Sequence, residues 1–178
     1  MADSDSVSDD QAAVDSNALP FLTSGSGIDG LLKQCPEDFC VDEVPAYEAS
    51  GKGEFLFLHI EKRGIPTPDL LRHIEQTLSL KQADIGCAGR KDAQAVTRQY
   101  VSVPAAASDL VEKIDSDQIK VLSRKRHTNK LKTGHLRGNR FRIIIREAVT
   151  NAEQLAQSLI SEIQRSGFPN YFGEQRFG

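Results

Sequence analysis

The feature that most constrains the fold is a clean alternation of side chains from residue 54 to residue 62. One face of the strand predicted there carries aliphatic side chains, namely Leu56, Leu58 and Ile60. The opposite face carries rings, namely Phe55, Phe57 and His59. Successive side chains of a strand point to opposite sides of its sheet. We therefore expect both faces of this sheet to be at least partly covered.

Other segments predict a mixture of strands and helices. Strands are predicted over residues 39–44, 95–101, 119–122 and 139–146. One helix is predicted to start with Thr67 as its N-cap, followed by Pro68, and to end near Ser79. Ser108 is a candidate cap for a short helix, and residues 150–153 form a capping box for a helix that Gly167 closes. The fold class is therefore mixed α and β.

Charge is divided sharply along the chain. The net charge of the whole chain is −3, yet residues 120–146 contain no Asp or Glu. This segment holds ten basic residues: Lys120, Arg124, Lys125, Arg126, Lys130, Lys132, Arg137, Arg140, Arg142 and Arg146. An ordinary solvated surface usually mixes both signs. We expect one concentrated basic patch, which favours a polyanionic partner such as nucleic acid.

Asp92 is the candidate reactive residue, in a basic loop that Gly86 and Gly89 open. Glycines allow a tight turn or a close approach to a ligand. The neighbouring Arg90 and Lys91 favour the ionised carboxylate, which can act as a nucleophile or a base. The alternative is a solvated turn residue, because Gly and Asp are common in turns.

Composition excludes several classes of protein. No apolar run approaches the roughly 20 residues that cross a bilayer, so we predict no membrane association. The three cysteines form no paired Cys-x-x-Cys motif, which predicts no metal site and a reducing compartment. Residues 1–19 contain five Asp and no Lys or Arg. We expect no secretory signal there and predict that residues 1–22 form a disordered acidic tail.

Four motifs, read together, resemble the TruD family of tRNA pseudouridine synthases. They are Lys-Gln-Cys-Pro-Glu-Asp-Phe-Cys-Val-Asp-Glu-Val at 33–44, Gly-Arg-Lys-Asp-Ala-Gln-Ala-Val-Thr-Arg-Gln at 89–99, His-x-x-Lys-Leu-x-x-Gly-x-Leu-x-Gly-Asn-x-Phe at 127–141 and Asn-Tyr-Phe-Gly-Glu-Gln-Arg-Phe-Gly at 170–178. Each motif is long, and their order is that of the family. The resemblance covers about residues 24 to 178.

The resemblance implies isomerisation of a uridine in tRNA to pseudouridine, in bacteria typically at position 13, without a cofactor. Asp92 aligns with the catalytic aspartate. The target base must be flipped out of its stack. Supporting residues would be Lys33 as an ion-pair partner, Asn139 as a hydrogen-bonding amide and Phe141 as a stacking ring. RNA-binding residues would be Arg90, Lys91, Lys130, Lys132 and Arg137, and the wall of the cleft would include Asn170, Phe172, Gly173 and Arg176.

The implied fold is α+β, a mixed and mostly antiparallel sheet flanked by helices, as the first half of a pseudouridine synthase catalytic domain. Residues 23–178 would be its N-terminal part, with the remainder and an inserted domain absent. We therefore expect this chain alone to be weakly active or inactive. A monomer in the cytoplasm is also expected.

Two other functions are also compatible with the sequence. An RNA-binding module without catalysis would use the same scaffold and the same basic residues. A hydrolase of glycosidic bonds would need two carboxylates about 5 to 10 Å apart, and no second acid of the catalytic loop supports it.

Overall fold

The computed structural model describes residues 21–169 of the protein. Residues 30–148 form one compact unit, and the described parts of a second unit are residues 21–29 and 149–169. The strands are β1 Phe39–Pro45, β2 Phe55–Arg63, β3 Gly86–Cys87, β4 Val96–Pro104, β5 Ile119–His127 and β6 Leu136–Ile143. The α-helices are α1 Thr67–Leu78 and α2 Ala152–Ser166, and a 3-10 helix spans Ala105–Ile114.

The six strands form one sheet in the first unit. Its order is β5-β2-β4-β1-β6, and the short β3 pairs with β4. Only the β1–β4 pair is parallel among the described pairs. The predicted α+β class with a mixed, mostly antiparallel sheet is therefore confirmed.

The aliphatic face of β2 builds the core, as its alternation predicts. Leu58 and Ile60 are fully buried against Leu70 and Ile74 of α1. Fully burying an aliphatic side chain of this size stabilises a fold by about 1.5–3 kcal/mol. The opposite face is also covered in part, since Phe57 is buried. This core fixes α1 over one face of the sheet.

Helix α1 begins differently from the prediction. The N-cap is Pro66, and Thr67 is already helical and makes no cap hydrogen bond. The predicted capping role of Thr67 is therefore wrong. Its hydroxyl instead accepts a hydrogen bond from the Lys91 backbone N–H at 2.8 Å and lies 3.0 Å from Oε1 of Gln99. The predicted end is confirmed, because Ser79 is the C-cap in the left-handed conformation.

Two other predicted caps are also displaced. Ser108 lies inside the 3-10 helix, whose N-cap is Pro104. Helix α2, in the second unit, has Asn151 rather than Thr150 at its N-cap and no side-chain cap bond. Gly167 ends α2 at a φ of +69°, where glycine is favoured, so its predicted role is confirmed.

An ion pair ties the start of β1 to the segment after β6. Nε and Nη2 of Arg146 donate to the two carboxylate oxygens of buried Asp38 at 2.8 and 2.7 Å. The Cys35 backbone N–H donates to the same carboxylate at 3.2 Å. The Arg146 hydrogen bonds lower the pKa of Asp38 to about 2. Arg146 thus has a structural partner and is not a free charge of the basic segment.

This pair predicts an acid-sensitive contribution to stability. The pKa of Asp38 is lower in the folded state than the ordinary value of 3.8, so its contribution is fully present above about pH 4 and is lost as the pH falls through about 2. Urea denaturation should find wild type more stable than Asp38→Asn at pH 6, and the difference should shrink between pH 4 and pH 2. A difference that does not change with pH would contradict this assignment.

Candidate active site

The loop between β3 and β4 carries Asp92 at the surface. The Asp92 side chain is 49% exposed, and its Oδ1 lies 3.4 Å from Nζ of Lys33. The predicted ion-pair partner therefore stands beside the predicted reactive carboxylate. Both groups face solvent in part, so this pair contributes little to stability. The Lys33–Asp92 pair instead places a cation beside a carboxylate that remains accessible.

Lys33 adopts an unusual backbone conformation to reach this position. Its φ is +53°, in the left-handed region that side chains other than glycine adopt rarely. Nζ of Lys33 also lies 3.9 Å from the centre of the Phe39 ring, within the range of a cation–π contact. The lysine is thus held between a carboxylate and an aromatic ring.

Phe141 joins the same group through Phe39. The two ring centroids are 5.8 Å apart at an interplanar angle of 60°, an edge-to-face arrangement. In the register of β1 and β6, Phe141 lies opposite Val41 and Asn139 lies opposite Glu43. Asn139 and Phe141 are two residues apart on β6, so they share one face of the sheet. Phe141 is 53% exposed, which leaves its ring available for stacking.

Lys91 is buried, unlike the other residues predicted to bind RNA. Its Nζ lies 2.6 Å from Oε2 of Glu43, and the two side chains are 3% and 1% exposed. The other oxygen of Glu43 accepts a hydrogen bond from the Tyr100 backbone N–H at 3.2 Å. Lys91 thereby has an internal partner in place of the predicted phosphate contact.

The remaining predicted RNA-binding residues lie nearer the surface. Arg90 is exposed and lines a cavity of about 710 Å³ together with Thr67, Arg72 and Thr133. Nζ of Lys130 donates to the Ala83 carbonyl. Two further residues of this set, Lys132 and Arg137, are exposed.

The basic segment does not form the single patch that its sequence predicts. Strands β5 and β6 lie at opposite edges of the sheet, with β2, β4 and β1 between them. Arg124 on β5 and Arg140 on β6 are therefore separated by four interstrand spacings, about 5 Å each. The prediction fails because neighbours in sequence pair with different strands. An anion would meet basic side chains along both edges instead.

Sequence comparison identifies the family. The profile described as "tRNA pseudouridine synthase D (TruD)" matches residues 15–178. The chain belongs to the TruD family. Relatives named tRNA pseudouridine synthase D include one from Syntrophotalea carbinolica, 45% identical over 152 residues, and one from Geobacter metallireducens, 45% identical over 159 residues. These matches cover 85% and 89% of this chain, but 38% and 39% of the two relatives.

A solved TruD structure has the same fold. The crystal structure described as tRNA pseudouridine synthase D from Methanosarcina mazei matches with a TM-score of 0.81 and 34% sequence identity. The match covers 90% of this chain and 38% of that one. This TruD chain thus spans under half the length of the relatives and of the structure that it matches.

The sequence did not predict every residue of the site. Some residues that it did predict lie beyond the described range. Phe39 and Glu43 belong to the TruD motif of residues 33–44, but their contacts with Lys33 and Lys91 were not predicted. Glu43 lies two positions after buried Val41 and so shares its face of β1. A charged residue on a buried face is expected to have a buried partner. The predicted cleft-wall residues Asn170, Phe172, Gly173 and Arg176 lie outside the described range.

Proposed function

We propose that the protein isomerises a uridine of tRNA to pseudouridine, with Asp92 as the reactive carboxylate. The observation that carries this proposal is the line of contacts from the exposed Asp92 through Lys33 and Phe39 to Phe141. The names of the relatives support tRNA as the substrate. The resemblance of the four motifs to the TruD family favours the uridine at position 13.

The chemistry requires an ionised carboxylate at the edge of the ribose or the base. The bond between N1 of the base and the ribose breaks, and a bond between C5 of the base and the ribose forms. The hydrogen on C5 leaves, and N1 gains a proton. No group is added and no net electrons are transferred, so the proposal assigns no cofactor. Asp92 supplies the carboxylate, and Nζ of Lys33 lies 3.4 Å from its Oδ1.

The target uridine must leave its stack before it can react. A flipped base is commonly held on an aromatic side chain, at about 1–3 kcal/mol per stacked base. We assign the half-exposed ring of Phe141 to this contact and the exposed Asn139 amide to a hydrogen bond with the base edge. We propose that the reaction takes place in the cytoplasm, which is consistent with three free cysteines. No helix among residues 21–169 is long and apolar enough to cross a membrane.

A tRNA transcript tests the proposal directly. The protein in its full natural length is incubated with a tRNA transcript that has a uridine at position 13 (U13). Pseudouridine is then located by chemical labelling and primer extension. We expect one new pseudouridine at position 13 and none in a transcript with cytidine there. A protein that binds the transcript without forming pseudouridine at any position would instead be the RNA-binding module.

The exposed basic residues predict a salt-dependent affinity. Replacing Lys132 and Arg137 by Ala should weaken tRNA binding and lower the slope of log affinity against log salt by about 1 for each phosphate that is no longer neutralised. Lys113→Ala is the matched control, because Lys113 is exposed but lies outside the basic segment. A salt slope unchanged from wild type would rule out these two side chains as phosphate ligands.

A further inference from the structure

Lys62 is a fully buried lysine directly beneath the Asp92 loop. It lies near the end of β2, on the same face as Leu58 and Ile60, and its relative exposure is 0%. Its Nζ donates to the backbone carbonyls of Asp92 and Ile65, both at 2.6 Å. Lysine is almost never fully buried unless its charge has partners. Here one of the partners is the peptide of the reactive residue itself.

The burial of Lys62 is unfavourable for its charge. Desolvation lowers the pKa of Lys62 to about 8, although the nearby Asp92 charge opposes that shift. A methionine of similar length would fit an apolar core without this cost. The lysine at this position therefore points to a contact that an apolar side chain cannot make, and the hydrogen bond to the Asp92 carbonyl is such a contact.

A second hydrogen bond holds the preceding residue of the loop. The Lys91 backbone N–H donates to the buried hydroxyl of Thr67, the first residue of α1. Two consecutive residues, Lys91 and Asp92, are thus tied to α1 and β2 through their backbones. The Asp92 side chain, in contrast, stays about half exposed. The arrangement fixes the Asp92 main chain and leaves the carboxylate facing outward.

We propose that Lys62 is a positioning residue for Asp92, whose buried ammonium holds the Asp92 peptide so that the carboxylate stays next to Lys33. This inference rests on the proposed function for its catalytic consequence, but not for the contact itself. Lys62 is buried and touches no substrate, so its loss should not weaken RNA binding. A misplacement of about 1 Å at a reactive group can lower a rate by about a hundredfold.

The test is Lys62→Met in the full natural length of the protein. We expect kcat for pseudouridine formation to fall about 10- to 100-fold while KM stays within about threefold of wild type. Lys113→Met is the matched control, because Lys113 is an exposed lysine outside the basic segment. That variant should keep the wild-type kcat. An unchanged kcat in a folded Lys62→Met protein would overturn the proposal.

Hydrogen exchange gives a readout that does not depend on activity. The amides of Lys91 and Ala95 are hydrogen-bonded in the loop, to Thr67 and to Ala93. In Lys62→Met both should exchange at least about tenfold faster, while the amide of Val101 in the core of β4 keeps its rate. Unchanged exchange at Lys91 and Ala95 would overturn the positioning role.

The two readouts separate the possible failures. A wild-type protein that forms no pseudouridine refutes the proposed function, and loop exchange then still decides whether Lys62 holds Asp92. If Lys62→Met does not fold, Lys62→Gln replaces it, since its shorter neutral amide cannot reach both carbonyls. The same change in loop exchange is expected for that variant, and its absence would overturn the proposal.

Discussion

Asp92→Asn should lower the rate of pseudouridine formation by at least about a thousandfold while tRNA affinity stays within about threefold of wild type. Removing a reactive carboxylate takes away the group that the chemistry requires, and losses of this order are usual for such groups. Binding should survive, because Asn has the shape of Asp and the exposed basic residues are untouched. Single-turnover kinetics and equilibrium binding to one U13 transcript measure the two quantities separately.

The control for this variant is another exposed aspartate. Asp109 lies in the 3-10 helix after β4 and is exposed, so Asp109→Asn should keep full activity and full affinity. Rate loss in both variants would indicate a general effect of negative charge on the protein. A wild-type rate in Asp92→Asn would remove Asp92 from the chemistry, and the resemblance of its loop to the TruD motif would then carry no catalytic meaning here.

The fold could be predicted well where one physical signal dominates. The alternation in β2 indicated its strand and both of its faces, because period-two patterning leaves few alternatives. The spacing of Leu70, Ile74 and Leu78 indicated α1 in the same way. The caps were less predictable, since Thr67 has a hydroxyl that suits a helix start and equally suits a contact with the Asp92 loop.

The arrangement of distant strands could not be predicted from the sequence, for a different reason. Strands β5 and β6 are close in the chain, but the sheet places them at opposite edges. Pairing between distant segments, such as β1 with β6, has no local signal that charge counting can detect. The prediction of a single basic patch was therefore wrong, although the strands predicted over 119–122 and 139–146 overlap β5 and β6.

The candidate site shows the same division between local and distant signals. Lys33, Asp92 and Phe141 were predicted from their motifs, and their contacts run in one line through Phe39. Lys91 resembled a phosphate ligand because it is basic and neighbours Asp92. Only the approach of the loop to β1 explains why its charge pairs with Glu43 instead. Burial of a lysine depends on tertiary packing, which a loop sequence does not encode by itself.

Lys91→Met and Glu43→Leu should each destabilise the protein by about 3–5 kcal/mol. Removing one partner of a buried ion pair leaves the other charge without compensation in a medium that solvates it poorly. Both side chains are buried almost completely in a contact of 2.6 Å. Urea denaturation measured on each variant gives the change in free energy of unfolding.

The double variant Lys91→Met with Glu43→Leu distinguishes a buried pair from two independent contacts. Replacing both charges by apolar side chains removes the uncompensated charge, so the double variant should be clearly more stable than either single variant. Independent contacts would make the two destabilisations add. Glu43 also accepts a hydrogen bond from the Tyr100 backbone, so the double variant should retain a small destabilisation from that unpaired N–H. Restored stability together with faster exchange in the Asp92 loop would mean that the pair mainly orders this loop, and that its net contribution to the fold is small.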